Sequence, residues 1–116
     1  MDSIKHLRDP ANETVIAVQE GEVVGGCTFK LHATFLELIL LATNKHKQGL
    51  GSDLVRHLAI FKLPIVVFAD NRALKFFLKL GFKYFVRRDP DYNQTRRVIH
   101  TCYKASLMKV SFDSIL

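Results

Sequence analysis

Apolar positions along this chain recur with two different periods, and the change between them falls at Gly49. Upstream, residues 14–18 and 23–29 are short apolar and β-branched runs separated by Gln19-Glu20-Gly21-Glu22, which reads as two strands joined by a hairpin turn. A third run, 35–42, is apolar apart from Glu37, giving three antiparallel strands in succession. By simple alternation Phe35, Glu37, Ile39 and Leu41 share one face of that strand. From Gly49 onward Leu50, Leu54, Leu58 and Phe61 follow helical spacing, with Asp53 in the first turn where the helix dipole favours an acid. Pro64 ends that element, and Ile65-Val66-Val67-Phe68 carries no charge, as a buried central strand would. Residues 71–80 predict a second helix with Asn71 as its N-cap and Gly81 as its stop. Arg72, Lys75 and Lys79 line one side of it, Ala73, Phe77 and Leu80 another. Strand character resumes over 82–86, residues 88–97 form a polar loop with room for a helical turn, and a last strand lies near 105–110. The first thirteen residues are polar, hold Pro10 and read as a lead-in. The expected order is β-β-β-α-β-α-β-β, an α/β (α+β) domain on a mixed, mostly antiparallel sheet flanked by helices.

Composition narrows the class. With 116 residues and 48% hydrophobic content, the chain is long enough for one core and too apolar to stay disordered. Its apolar runs are too short to span a bilayer, and no signal-peptide pattern precedes the first strand, which points to an intracellular protein. Cys27 and Cys102 are then expected as reduced thiols. The net charge of +6 is uneven: residues 1–58 hold six Lys or Arg against seven acids, residues 59–116 eleven against four. A basic half suits phosphate-rich ligands or nucleic acid, and equally suits a solvated cationic face.

The candidate chemistry gathers around the change of period. Lys47-Gln48-Gly49-Leu50-Gly51-Ser52 sets two glycines at a helix start, where backbone N–H groups can approach phosphate oxygens. It is no Walker loop, because no Gly-Lys-Ser/Thr follows. It lacks the third glycine of a dinucleotide fingerprint, and the strand before it does not read as the opening of a βαβ unit. An ordinary tight turn explains such a pair as readily. Ser52 reads as a phosphate ligand or helix-start residue rather than a hydrolase nucleophile. Glu37, in an apolar strand, is costly unless paired, solvated in a cleft or protonated, so it is either a general base or a carboxylate paired with Arg or Lys. His6, His32, His46, His57 and His100 show no spacing that brings two together near a Cys or an acid, and no metal site is expected.

Over roughly residues 14–108 these pieces resemble the GNAT superfamily of acetyl-coenzyme A-dependent N-acetyltransferases, and within it the PCAF-type histone lysine acetyltransferases. Val23-Val24-Gly25-Gly26 with Thr28 is similar to the family's second-to-third strand region, and Phe35-Leu36-Glu37-Leu38 to the strand carrying its general-base glutamate. Phe68-Ala69-Asp70-Asn71, then Ala73, Phe76-Phe77 and Gly81-Phe82, resembles the second cofactor-binding segment with its spacing. Tyr103 with Ser106-Leu107-Met108 resembles the closing segment. Many small-molecule GNAT enzymes carry a tyrosine four residues before the Gly-Phe pair; here Phe77 stands there, as in the PCAF type. Three departures stand out: His46 where the family's glycine loop usually has Gln or Arg, a lead-in shorter than the usual first strand and helix, and Lys104 where the family tends to be acidic.

The resemblance implies a GNAT-like, N-terminally shortened domain over 14–110, between a lead-in 1–13 and a tail 111–116. It implies direct transfer of an acetyl group from acetyl-CoA to a lysine side-chain amine of a histone or other protein, without a metal. Glu37 would be the general base and the Leu41 N–H the oxyanion donor. Leu41, Ala42 and Thr43 would pair with the pantetheine arm, Lys47, Gln48, Gly49, Leu50, Gly51 and Ser52 would hold the pyrophosphate, and Asn71, Ala73, Phe76 and Phe77 would complete the cofactor site. It further implies a protein or peptide acceptor such as a histone tail, no membrane and no direct nucleic-acid binding, nuclear or cytoplasmic residence with the nucleus favoured, and a place in a larger complex. A GNAT enzyme acting on a protein N-terminus or a small amine, and a non-catalytic acetyl-CoA or nucleic-acid binding module, are the alternatives.

Overall fold

The computed structural model describes residues 3–8, 12–44, 49–99 and 105–115. Seven strands form one sheet: β1 (Ser3–Arg8), β2 (Glu13–Gln19), β3 (Glu22–Leu31), β4 (Leu36–Thr43), β5 (Ile65–Ala69), β6 (Lys83–Tyr84) and β7 (Ser106–Val110). Their spatial order is β1-β2-β3-β4-β5-β7-β6. Every pairing is antiparallel except β4 with β5. The helices are α1 (Leu50–His57), α2 (Leu74–Lys79) and α3 (Tyr92–Arg96), with 3-10 turns at Leu58–Phe61 and Phe112–Ser114. This is the mixed, mostly antiparallel architecture expected from the sequence.

Four local readings are corrected. The polar lead-in carries β1, which pairs with β2 from Ser3↔Val18 to Arg8↔Glu13. It escaped detection because an edge strand has few apolar residues to alternate; Lys5, His6 and Leu7 are all exposed. The 111–116 tail turns back on the core: Ile115 is buried and its carbonyl accepts a hydrogen bond from Arg56 Nε at 3.1 Å. β4, α1 and β5 do form a parallel βαβ crossover, since Leu36, Glu37 and Leu38 pair with Ile65, Val66 and Val67. Finally, Asp70 rather than Asn71 opens the second helical segment. Its Oδ1 accepts the Arg72 and Ala73 N–H groups at 3.0 Å each, and its carbonyl accepts those of Ala73 and Leu74.

Alternation along the strands divides the residues between two faces. Val15 and Ala17 of β2, Cys27 and Phe29 of β3, Leu36 and Leu38 of β4, and Ile65 and Val67 of β5 belong to one core cluster. Leu50, Leu54, Val55 and Leu58 of α1 and its 3-10 extension close that cluster, as do Phe77 and Leu80 at α2. A second, smaller cluster of Phe35, Val66, Phe85 and Ile99, flanked by Phe68, Tyr92 and Leu107, lies on the other face. The helical spacing of Leu50, Leu54 and Leu58, and the division of α2 into an exposed basic side and a buried Phe77 side, follow the sequence reading.

Candidate active site

The site grows out of one irregularity in β4. Leu40 pairs with Thr28 and Leu38 with Phe29, so Ile39 is an extra residue with no partner in the register. Such a bulge bends its strand and resets which side chains face the core. Leu36 and Leu38 face the main core before it, and Leu41 packs against the same core after it. Glu37 therefore lies on the opposite face from Leu41, correcting the simple alternation that put Phe35, Glu37, Ile39 and Leu41 together. Ile39 and Leu40 are both left exposed, at 42% and 59%.

The β4–β5 ladder stops at Leu38↔Val67. Beyond that pair the two strands part, and a cavity of about 190 Å³ opens between them. Its walls are Leu38, Ile39, Leu40 and Leu41 on one side, Val67 and Phe68 on the other, with Asp70, Ala73, Phe76 and Phe77 across the α2 end. Of the expected cofactor residues, Leu41, Ala73, Phe76 and Phe77 come together here. Ala42 and Thr43 instead line a wider hollow of about 360 Å³ over β2, β3 and β4, which shares Leu40 with the first. Asn71 is exposed in the turn before α2 and is not part of the cavity wall.

The start of α1 is held against this cleft by close approaches that only glycine permits. Gly49, at φ 81°, turns the chain into the helix, and its carbonyl accepts the Asp53 N–H at 3.0 Å. A Cβ on Gly51 would meet the Phe76 ring at 3.2 Å, so α1 and α2 touch through that glycine. A Cβ on Gly25 would meet Leu50 Cδ2 at 3.0 Å and the Ala42 carbonyl at 3.1 Å, so a larger residue there would make the Leu50 side chain and the β4 backbone give way by a few tenths of an ångström. Leu50 is buried, which leaves its backbone rather than its side chain to serve a ligand. Ser52 lies half-buried in the first turn. Lys47 and Gln48, together with His46, Cys102, Tyr103 and Lys104, lie outside the described residues.

On the other face, Glu37 is buried, with a side chain only 7% exposed. One of its partners is a histidine. His32 Nε2 stands 2.9 Å from Glu37 Oε1, and the imidazole is itself only 13% exposed. The β3–β4 turn makes this pairing: the His32 N–H donates to the Phe35 carbonyl at 2.9 Å, and the ring stacks on Phe35 at 4.3 Å with an interplanar angle of 17°. Sequence spacing gave no sign of His32, because a turn rather than a periodic element brings it back to the acid. Among the described residues no group of three or more His, Cys, Asp or Glu could hold a metal ion. Cys27 is buried in the main core, and burial pushes its thiol up to about 12.

Two strands that part over an apolar cavity, a glycine turn opening a helix beside them, and a buried glutamate on the strand wall make one arrangement. The sequence profile of the acetyltransferase (GNAT) domain matches residues 10–84. This chain belongs to the GNAT acetyltransferase family. Solved GNAT structures share its fold at low sequence identity. Tetrahymena GCN5 superposes with a TM-score of 0.76 at 23% identity, over 90% of this chain and 70% of that one. The catalytic domain of Tetrahymena GCN5 histone acetyltransferase in complex with coenzyme A gives 0.66 at 23% identity, over 90% and 68%. A streptothricin acetyltransferase assigned in Bacillus anthracis, in complex with acetyl coenzyme A, gives 0.67 at 17% identity, over 91% and 65%. The residues expected from the sequence at a donor site thus lie partly on β4 and α1 and partly at α2.

Proposed function

We propose that this GNAT protein transfers the acetyl group of acetyl-CoA directly to a lysine side-chain amine of a protein, with Glu37 as general base. The observation that carries the proposal is a buried carboxylate on the same strand that forms one wall of the β4–β5 cavity. The cavity fits the narrow end of such a donor. It is apolar along Leu38, Leu41, Val67 and Phe77, and the β4 edge beyond Leu38 is not paired with β5. An amide-bearing arm could therefore take up that edge as an additional strand would. The backbone of Leu41, Ala42 and Thr43 would hold this arm, with the Leu41 N–H stabilising the oxyanion that develops at the thioester. Backbone N–H groups from Gln48 to Ser52 would receive the pyrophosphate at the start of α1. Phe76 and Phe77 would pack against the thiol end, and Asn71 would lie at its margin.

An amine of this kind is protonated at neutral pH, with an unperturbed pKa of about 10.4, so it must lose a proton before it attacks. Glu37, between Leu36 and Leu38 on the strand that walls the cavity, would take that proton. The lysine assignment draws support from the PCAF-like Phe35-Leu36-Glu37-Leu38 and Asp70 to Phe82 segments and from Phe77 in place of a tyrosine acid. A histone tail and nuclear residence belong to the same reading. The second reading is a small or acidic amine, which the loop beside the second core cluster favours: Arg87, Arg88 and Arg97 are exposed there, and Arg96 lies 5.7 Å over the Phe68 ring. Coenzyme A release with histone-tail peptides, N-terminal peptides, polyamines and acidic amines separates the two. Glu37→Gln should keep coenzyme A binding and lower turnover near neutral pH by about a hundredfold to ten-thousandfold. Unchanged turnover in that variant would remove Glu37 from the mechanism.

A further inference from the structure

We propose that His32 is the proton partner of Glu37, so that the acid–base unit of this site is a coupled His32–Glu37 pair. The inference rests on the reading of Glu37 as the base and adds a residue that neither the family resemblance nor the spacing assigns.

The geometry defines the need and the means. A carboxylate only 7% exposed that takes a proton becomes a buried neutral acid, and it must discharge before the next turnover. His32 Nε2 lies 2.9 Å from Oε1, and the imidazole is the more exposed member of the pair. Imidazole is the side chain whose ordinary titration range lets it both accept and release a proton near neutrality. Its orientation is held at two points, by the backbone bond from the His32 N–H to the Phe35 carbonyl and by the stack on the Phe35 ring. Among the described residues, charged groups on the surrounding elements include Lys30, opposite Glu37 on β3, and Lys109 on β7, two strands away through Val66. The Lys109 ammonium is engaged at 3.3 Å by both Asp89 and Asp91, and Arg96 lies over Phe68.

The proton bookkeeping closes without any further reagent. An N–H bond of the acceptor ammonium breaks and an O–H bond forms at Glu37. The proton passes to His32 Nε2, leaving a carboxylate beside an imidazolium, and the imidazolium releases a proton to solvent. The freed amine lone pair forms the C–N bond, the C–S electron pair leaves with the coenzyme A thiolate, and the second N–H proton, which the new amide nitrogen must lose, goes to that thiolate. The competent state therefore needs Glu37 ionised and His32 neutral together.

That requirement is readable in a pH profile. Turnover of Nα-acetyl-lysine amide at saturating acetyl-CoA, followed between about pH 5 and pH 9, should fall on the acid side along a curve whose midpoint and slope differ between the wild type and His32→Gln. The His32→Gln plateau should lie about tenfold to a hundredfold lower, with the KM for acetyl-CoA unchanged. His32→Phe keeps a ring on Phe35 and should match His32→Gln, which separates proton handling from packing. A wild-type slope and rate in either variant overturns the pair, provided Glu37→Gln is inactive; an active Glu37→Gln overturns the base itself. A readout that needs no turnover is the NMR titration of the His32 ring, which should show two inflections in the wild type and one in Glu37→Gln. One inflection in both proteins sinks the proposal.

Discussion

The two faces of the sheet are built on opposite terms. One is sealed: α1, its 3-10 extension and α2 lay Leu54, Val55, Leu58 and Phe77 onto Val15, Phe29, Leu36 and Ile65. Among the described residues the other is covered at its β5–β7 end by the Phe35, Val66, Phe85 and Ile99 cluster, and lies open as a hollow over β2, β3 and β4. The sealed face fixes the position of the helix start and the cleft walls. The half-open face carries Glu37 and His32, where the proposed chemistry would take place. Stability and that proposed chemistry would thus fall to different sides of the same strands, and β4 changes sides at its bulge.

This contrast can be broken by experiment. On the sealed face Leu54→Ala should cost about 2–5 kcal/mol in denaturant unfolding, because a fully buried side chain is lost. Cys27 tests the seal by pH. Burial pushes its thiol from the ordinary 9.0 up to about 12, so between those values the unfolded chain has released a proton that the folded chain still holds. Stability should be fully present below about pH 9 and fall as pH rises toward 12, by on the order of 1 kcal/mol per unit. Cys27→Ala should flatten that difference; parallel curves for the two proteins would show a thiol open to solvent. Asp70→Ala, which frees two backbone donors at the entry to α2, should cost about 1 kcal/mol by thermal melting. Leu40→Gln, on the open face, should stay within about 0.5 kcal/mol of wild type. A loss as large as that of Leu54→Ala would mean that the hollow is sealed by something.

How far the sequence could be read follows the same division. Leu50, Leu54, Leu58 and the two sides of α2 were legible because a sealed face imposes periodicity on the residues that cover it. β1 was not, since its Lys5, His6 and Leu7 are all exposed and offer no apolar alternation to read. Glu37 was visible as an acid in an apolar run, yet its partner was not, because a turn between β3 and β4 obeys no period. The bulge at Ile39 was hidden as well. A single inserted residue leaves the composition of an apolar strand unchanged and alters only which face each later side chain takes. Gly25 and Gly51 stood out as glycines, but their partners Leu50 and Phe76 are tertiary neighbours that no local pattern names.

The short β4–β5 ladder also has a consequence for the order of folding. Strands β1 to β4 are joined to their sequence neighbours by short turns, so they can form early at little cost in loop closure. β5 instead finds its other partner across the whole C-terminal half, with Ile65 opposite Val110. The two walls of the cleft therefore come from units of very different contact order, and they meet through only Leu36, Glu37 and Leu38. A chain whose meander has folded still lacks the cavity until that three-residue seam closes. In a refolding experiment, binding of coenzyme A should consequently lag behind the appearance of β-structure and report completion of the molecule.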